Sequence, residues 1–258
     1  HAEWTKVPFV ADGARAVGEN GGVPTRAGAT SNCHNADYRI CVAACQRRWT
    51  VPPVASCADC RHRADMTISV RPASVFEDVR AVLGPKSPTA NVCWCLSYRI
   101  DAKLNRKLQG PARGEYVEEL CAREPAPGVL AYDGDEPVGW AAVAPRAETS
   151  FARNRKIPHV DDLPVWSLWC VRVRPGHRKQ GLSRVLIDGA VAFARAHGAP
   201  AVEAYPLDNG DARVDLTMAY PGLRKNFERA GFVHVADTGS VLAGFPRVLM
   251  RRDLRELS

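Results

Sequence analysis

From residue 66 onward, short apolar runs alternate with stretches whose apolar positions recur every three to four residues. Residues 68–72 alternate in the manner of a strand. Residues 76–83 predict a helix with Ser74 as its N-cap. Residues 92–109 read as mixed helix and 115–123 as a clearer one, stopped by Glu124-Pro125-Ala126-Pro127-Gly128. Two apolar runs, 129–132 and 138–143, flank Asp133-Gly134-Asp135-Glu136 and predict a β-hairpin. Residues 146–164 are polar and read as a loop. Residues 165–173, rich in Trp, Leu and Val, are the strongest strand. Leu182, Val185, Leu186, Gly189, Ala190, Phe193 and Ala194 then mark one face of a helix closed by His197-Gly198. A strand over 201–205, a short helix over 223–229 and strands over 232–235 and 247–250 complete the pattern. Strands and helices alternating this way predict an α/β layer fold.

The first 65 residues lack this periodicity. They carry five of the nine cysteines and many turn formers, as in Glu19-Asn20-Gly21-Gly22 and Val51-Pro52-Pro53. The expectation is two parts: an irregular or disordered N-terminal extension over 1–65 and a folded domain over 66–258. A rival reading of the extension is a zinc module, because Cys41-x3-Cys45 and Cys57-x2-Cys60 supply two thiolate pairs with His34 and His62 nearby.

Composition adds bounds. Hydrophobic residues are 46% of 258, enough for a sizeable core, and no run of 18 apolar residues suggests a membrane span. The absence of a basic-then-apolar leader pattern points to a cytoplasmic protein. Net charge is +7, which favours an anionic ligand without naming one.

Residues 171–186 narrow that choice. A strand passes through Pro175-Gly176-His177-Arg178-Lys179-Gln180-Gly181 straight into a helix. The first N–H groups of a helix have no internal partner, and its macrodipole makes that end positive, so an oxyanion fits there. Gly181 lets backbone approach a bulky ligand closely. Arg172, Arg174, His177, Arg178, Lys179 and Arg184 add charge, with no acid from 172 to 187. A solvated basic turn is the bland alternative. The spacing matches neither a GxxxxGK[ST] phosphate loop nor a GxGxxG dinucleotide turn.

Val171-Arg172-Val173-Arg174-Pro175-Gly176-His177-Arg178-Lys179-Gln180-Gly181-Leu182-Ser183 resembles the acyl-CoA signature of the GNAT acetyltransferase superfamily, with Ser183 at a position usually Gly or Ala. Phe227-Glu228-Arg229-Ala230-Gly231-Phe232 resembles the Tyr-Glu-x-x-Gly-Phe element that follows in that superfamily. Cys93-Trp94-Cys95, Gly139-Trp140, Pro145-Arg146, Val165-Trp166-Ser167 and Glu203-Ala204-Tyr205-Pro206 resemble a subgroup common in high-GC, actinobacterial-type bacteria. The resemblance covers about residues 66–254. It implies a mixed, centrally split twisted sheet flanked by helices, and acetyl-CoA as cosubstrate. It further implies that the N–H groups of Arg178, Lys179, Gln180, Gly181, Leu182 and Ser183 hold the CoA diphosphate. Val171 and Val173 would pair with the pantetheine arm, and the thioester carbonyl would meet an N–H near Val171, where developing charge is stabilised.

The tyrosine that protonates the leaving thiolate in many relatives is replaced here by Phe227, beside the expected cofactor path. Another group then serves, or the thiolate leaves unassisted, since a thiol has a pKa of about 8.5. Glu203 and Tyr205, two apart on one strand, share a face and are the candidate base and acid. The alternative is an ion-paired Glu203 and a packed Tyr205. Ser167 and Trp169 are candidates for the acceptor wall, and Cys170 reads as a small core residue. Asp208, Asp211 and Asp215 lie in a loop able to attract an amine or simply to be solvated. The expected acceptor is an amine-bearing small molecule or a protein lysine, with a homodimer as an open option and neither nucleic acid nor membrane as partner. An acyl-CoA sensor without turnover is the alternative that Phe227 permits.

Overall fold

The computed structural model describes residues 68–255, apart from 88 and 216. The zinc reading, Cys41, Cys45, Cys57 and Cys60 included, lies outside the described residues.

Among the described residues, seven strands form one sheet in the order β1-β2-β3-β4-β5-β7-β6. They are β1 Ile68–Pro72, β2 Gly128–Asp133, β3 Glu136–Pro145, β4 Trp166–Val173, β5 Ala201–Ala204, β6 Val233–Leu242 and β7 Phe245–Asp253. All neighbours are antiparallel except β4 and β5. The α-helices among the described residues are α1 Phe76–Leu83, α2 Ala102–Lys107, α3 Pro111–Cys121, α4 Leu182–Ala196 and α5 Arg224–Arg229. The expected mixed α/β sheet flanked by helices is what the chain forms.

Each face of the sheet carries its own core. Leu182, Leu186, Ala190, Phe193 and Ala194 of α4 pack with Val129, Ala131, Val143, Leu168 and Val202. Val79 and Leu83 of α1 and Val117, Leu120 and Cys121 of α3 pack on the other face with Leu130, Trp140, Ala142 and Trp169. The 3.6-residue spacing of α4 thus does what the sequence implied. Gly189 lies where a Cβ would come within 2.5 Å of the Val70 side chain, so a side chain there would push α4 off β1.

Three local expectations need correction. Residues 92–109 are mostly turns, and only Ala102–Lys107 is helical. Trp94 and Cys95 both have positive φ (52° and 57°), a conformation that residue propensities do not anticipate. The N-cap of α1 is Val75 rather than Ser74, with no side-chain cap. The last hairpin is longer than expected, because β6 is an edge strand whose exposed alternation gives little apolar signal.

The feature that shapes the site is in β4. Ala142 pairs with Cys170 and Val143 with Leu168, leaving Trp169 as an extra residue without a partner on β3. Such a bulge bends its strand. The β4–β5 ladder runs only from Trp166↔Val202 to Leu168↔Ala204. Beyond it β4 leaves β5, which opens the sheet at its centre.

Candidate active site

Past the bulge, even-numbered residues of β4 face β3, as the bond from Arg174 N to Val138 O shows (2.9 Å). Val171 and Val173 therefore aim their N–H groups into the opening. The Val171 N–H is engaged: it donates to the carbonyl of Tyr220 at 2.7 Å. A protein carbonyl thus sits on the amide that the sequence pattern offers to a thioester. Tyr220 belongs to a turn closed by Gly222 N to Ala219 O and tied down by Leu207 N to Gly222 O. Gly222 has φ +85°, and a Cβ there would meet the Phe227 ring at 2.6 Å, so glycine is required on both counts.

Val173 leads into the bend. His177 N bonds Arg174 O, and the next amides to bond backbone are Arg184 and Val185, both to Gly181 O. Between them, no backbone acceptor among the described residues outside the helix takes the N–H groups of residues 178–183. Gly181 is the N-cap of α4 in left-handed conformation (φ 82°, ψ −2°), and no side chain caps it. A serine or aspartate would ordinarily fill that role. Lys179 also has positive φ (63°), and Gly176 too (93°). Alternating hand in this way turns successive amides to one side, a concavity suited to an anion. A Cβ on Gly181 would meet nothing within 4 Å, so the bend is open rather than packed shut.

The charges around the bend are partly committed. Arg174 pairs with Glu136 at 2.7 Å and Arg184 with Asp188 at 2.5 Å. Arg178 donates from Nε to Val173 O, and Gln180 from Nε2 to Gly176 O. Among the described residues, Lys179 and His177 have no ion pair, and both stand at the mouth of the bend.

Glu203 and Tyr205 share the face expected, but both are fully buried. Glu203 accepts from Arg146 Nη1 at 2.9 Å and lies 3.7 Å from Arg251 Nη1. The Tyr205 hydroxyl is 2.9 Å from Ser167 Oγ and 3.4 Å from Glu203 Oε2, and its ring stacks on Phe151 at 3.9 Å. Burial, then the Glu203 charge, pushes the Tyr205 phenol well above its ordinary value. Arg251 also holds Asp161 at 2.8 Å. The hydrogen bond from Arg251 keeps the Asp161 carboxyl below the usual range. Asp161 therefore binds its proton less readily folded than unfolded. Its contribution to stability is complete above the unfolded value of about 3.9 and is lost as pH falls through the lower folded one. Asp161→Asn should accordingly flatten the acid limb of a Tm-against-pH profile; an unchanged limb would refute this.

Phe227 is sealed in the core, edge-on to Phe232 at 5.2 Å, and offers neither a proton nor an exposed surface. Trp169 and Ser167 are buried too; Trp169 Nε1 donates to Cys95 O at 3.1 Å. The Cys170 thiol is buried beside Cys95, and burial raises its pKa, as suits a core residue. Asp208 and Asp211 are taken by Arg224 and Lys225, and Asp215 accepts from Thr217 N.

Sequence reasoning missed a cluster on the same face as Glu203. The Tyr220 and Tyr98 hydroxyls are 3.4 Å apart, and Arg247 Nη1 donates to Tyr98 at 2.8 Å. These residues come from three separate segments and no motif links them. The one signal was Arg247 itself, an arginine within an apolar strand.

Residues 98–232, more than half of the chain, match the acetyltransferase (GNAT) family. The chain belongs to that family of acyltransferases. No curated protein matches it. Solved structures similar to it include a GNAT-family acetyltransferase described as putative, from Desulfovibrio desulfuricans, at 20% identity and TM-score 0.44, over 73% of this chain and 99% of that one. Ard1 from Thermoplasma volcanium is similar at 14% identity and TM-score 0.44 over the same shares. An aminoglycoside acetyltransferase in complex with coenzyme A is similar at 16% identity and TM-score 0.36, over 49% of this chain and 65% of that one. Among the described residues, no helix is long and apolar enough to cross a membrane, and no group of three or more His, Cys, Asp or Glu could hold a metal ion.

Proposed function

We propose that the protein is an N-acetyltransferase that moves the acetyl group of acetyl-CoA directly to a primary amine. The observation that carries this reading is the uncapped run of amides from Arg178 to Ser183, continuous with the opening-facing N–H groups of Val171 and Val173. The run suits a diphosphate. The strand edge suits the amide groups of a pantetheine arm, which would pair with β4 as an added strand.

In this reading the thioester carbonyl replaces the Tyr220 carbonyl on the Val171 N–H. The amine nitrogen attacks the carbonyl carbon, and the negative charge that gathers on oxygen is held by that amide. The C–S bond then breaks and the coenzyme leaves as thiolate. The proton lost by the amine passes to water or to the thiolate, whose pKa of about 8.5 allows departure without an acid at Phe227. Glu203 and Tyr205 act as positioning residues. Glu203 anchors Arg146, Arg251 and the Tyr205 hydroxyl, and Tyr205 supports the acceptor wall through Phe151. Acetyl-CoA as the donor, the amine as acceptor and a cytoplasmic setting belong to the same proposal.

The test is calorimetry with acetyl-CoA followed by free-thiol release with amine acceptors. Release that depends on the acceptor supports transfer; binding without such release leaves an acyl-CoA sensor instead. A second expected result concerns Tyr220. Acetyl-CoA should speed hydrogen exchange in residues 215–222 while protecting the Val171 amide. Exchange in that turn unaltered by saturating acetyl-CoA would contradict the displacement.

A further inference from the structure

Four arginines are buried among the described residues, and two of them meet carboxylates. Arg146 meets Glu203, and Arg251 meets Asp161. Arg113 donates from both terminal nitrogens, to the carbonyls of Asn105, Leu108 and Cys93 and to Asn105 Oδ1, and only its Nε lacks a partner. Arg251 Nε and Nη1 make no hydrogen bond but stand beside the carboxylates of Asp253 and Glu203. Arg247 is different. It is 2% exposed, and no carboxylate among the described residues pairs with it. Nε donates to Tyr205 O at 2.8 Å and Nη1 to Tyr98 Oη at 2.8 Å, while Nη2 is buried with no partner. The rings of Tyr98, Phe151 and Tyr205 lie 5.1 to 5.9 Å from the guanidinium carbon. Ring faces ease the charge but accept nothing from the in-plane N–H groups of Nη2.

A buried cation without an anion is costly, and so is an unmatched buried donor. Folding retains both at one atom group, on β7 beside the opening of the sheet. Tyr98 and Tyr220, the members of the cluster that are only partly buried, connect it to the surface, and Tyr220 is the residue whose carbonyl rests on Val171. A guanidinium nitrogen with unused N–H donors suits a carboxylate, in charge and as the acceptor of a charge-assisted hydrogen bond.

We infer that the acceptor amine carries a carboxylate, and that Arg247 receives it. The substrate class is therefore an amino acid or a small amino-carboxylic acid rather than a polyamine. This rests on the acetyltransferase reading. The carboxylate binds Nη2, the amine faces the thioester held at Val171, and the Tyr220 turn gives way to both.

The experiment uses the full chain with saturating acetyl-CoA and free-thiol release. The probes are the proteinogenic amino acids, β-alanine and 4-aminobutyrate, each beside its carboxamide, which keeps the amine and loses the charge. At least one acid should be used with a kcat/KM tenfold or more above its carboxamide, the difference lying in KM. Arg247→Met should bring that ratio near one while acetyl-CoA affinity, read by calorimetry, is retained. Equal use of acids and carboxamides, or turnover of neither by protein that binds acetyl-CoA, overturns the inference. Should Arg247→Met not fold, the wild-type ratios decide alone. Failure of acetyl-CoA itself to bind is a separate result, which removes the acetyltransferase reading first.

Discussion

Gly181→Trp should abolish measurable acetyl-CoA binding, a loss of at least a hundredfold, or about 3 kcal/mol. The expected effect is large because the space beside Gly181 is empty of protein and the neighbouring amides have nothing else to bind. An indole there fills the approach of the diphosphate. Part of any loss would come from placing a non-glycine residue at φ 82°, which costs about 1 kcal/mol. Gly181→Ala carries that cost without the bulk, so it should lose far less affinity than Trp. Calorimetry on both variants separates the two effects. Equal affinities for Trp and wild type would remove the bend from the binding site.

The second large effect is on stability. Glu203→Ala should destabilise the fold by about 3–5 kcal/mol, because it strands the charge of Arg146 and loosens Arg251. For a domain of this size that is a fall in Tm on the order of 10 °C. A catalytic base would behave otherwise: its removal would cut kcat and leave Tm nearly unchanged. Thermal unfolding and steady-state kinetics on one preparation therefore distinguish anchor from base. An unshifted Tm with a collapsed kcat would return Glu203 to the chemistry, as its position on the strand first suggested.

What the sequence revealed and what it hid have physical causes. Helix α4 was legible because its apolar face repeats at helical spacing and its ends carry glycine. The bend between β4 and α4 was legible because Pro175, Gly176 and Gly181 constrain the backbone locally. The hairpin of β2 and β3 follows from Asp133-Gly134 between two apolar runs. The bulge at Trp169 was not legible, because Leu168 to Val171 is apolar on both faces and an extra residue leaves no trace in such a run. The left-handed turn at Trp94 and Cys95 runs against the preference of both residues, so tertiary packing sets it. The site cluster was hidden for another reason. Tyr98, Tyr220 and Arg247 are far apart in the chain and meet only after the sheet has formed. Glu203 and Tyr205 show the converse: period-two spacing placed them correctly on one face but said nothing about the two arginines waiting there.

The account turns on the bend between β4 and α4, and a crystal structure of the full chain with acetyl-CoA tests it most directly. The expected electron density places the diphosphate oxygens on the amides of residues 178–183 and a cosubstrate carbonyl on Val171 N–H, with Tyr220 moved aside. Density for the coenzyme elsewhere on the protein, with those amides still facing solvent, would contradict it.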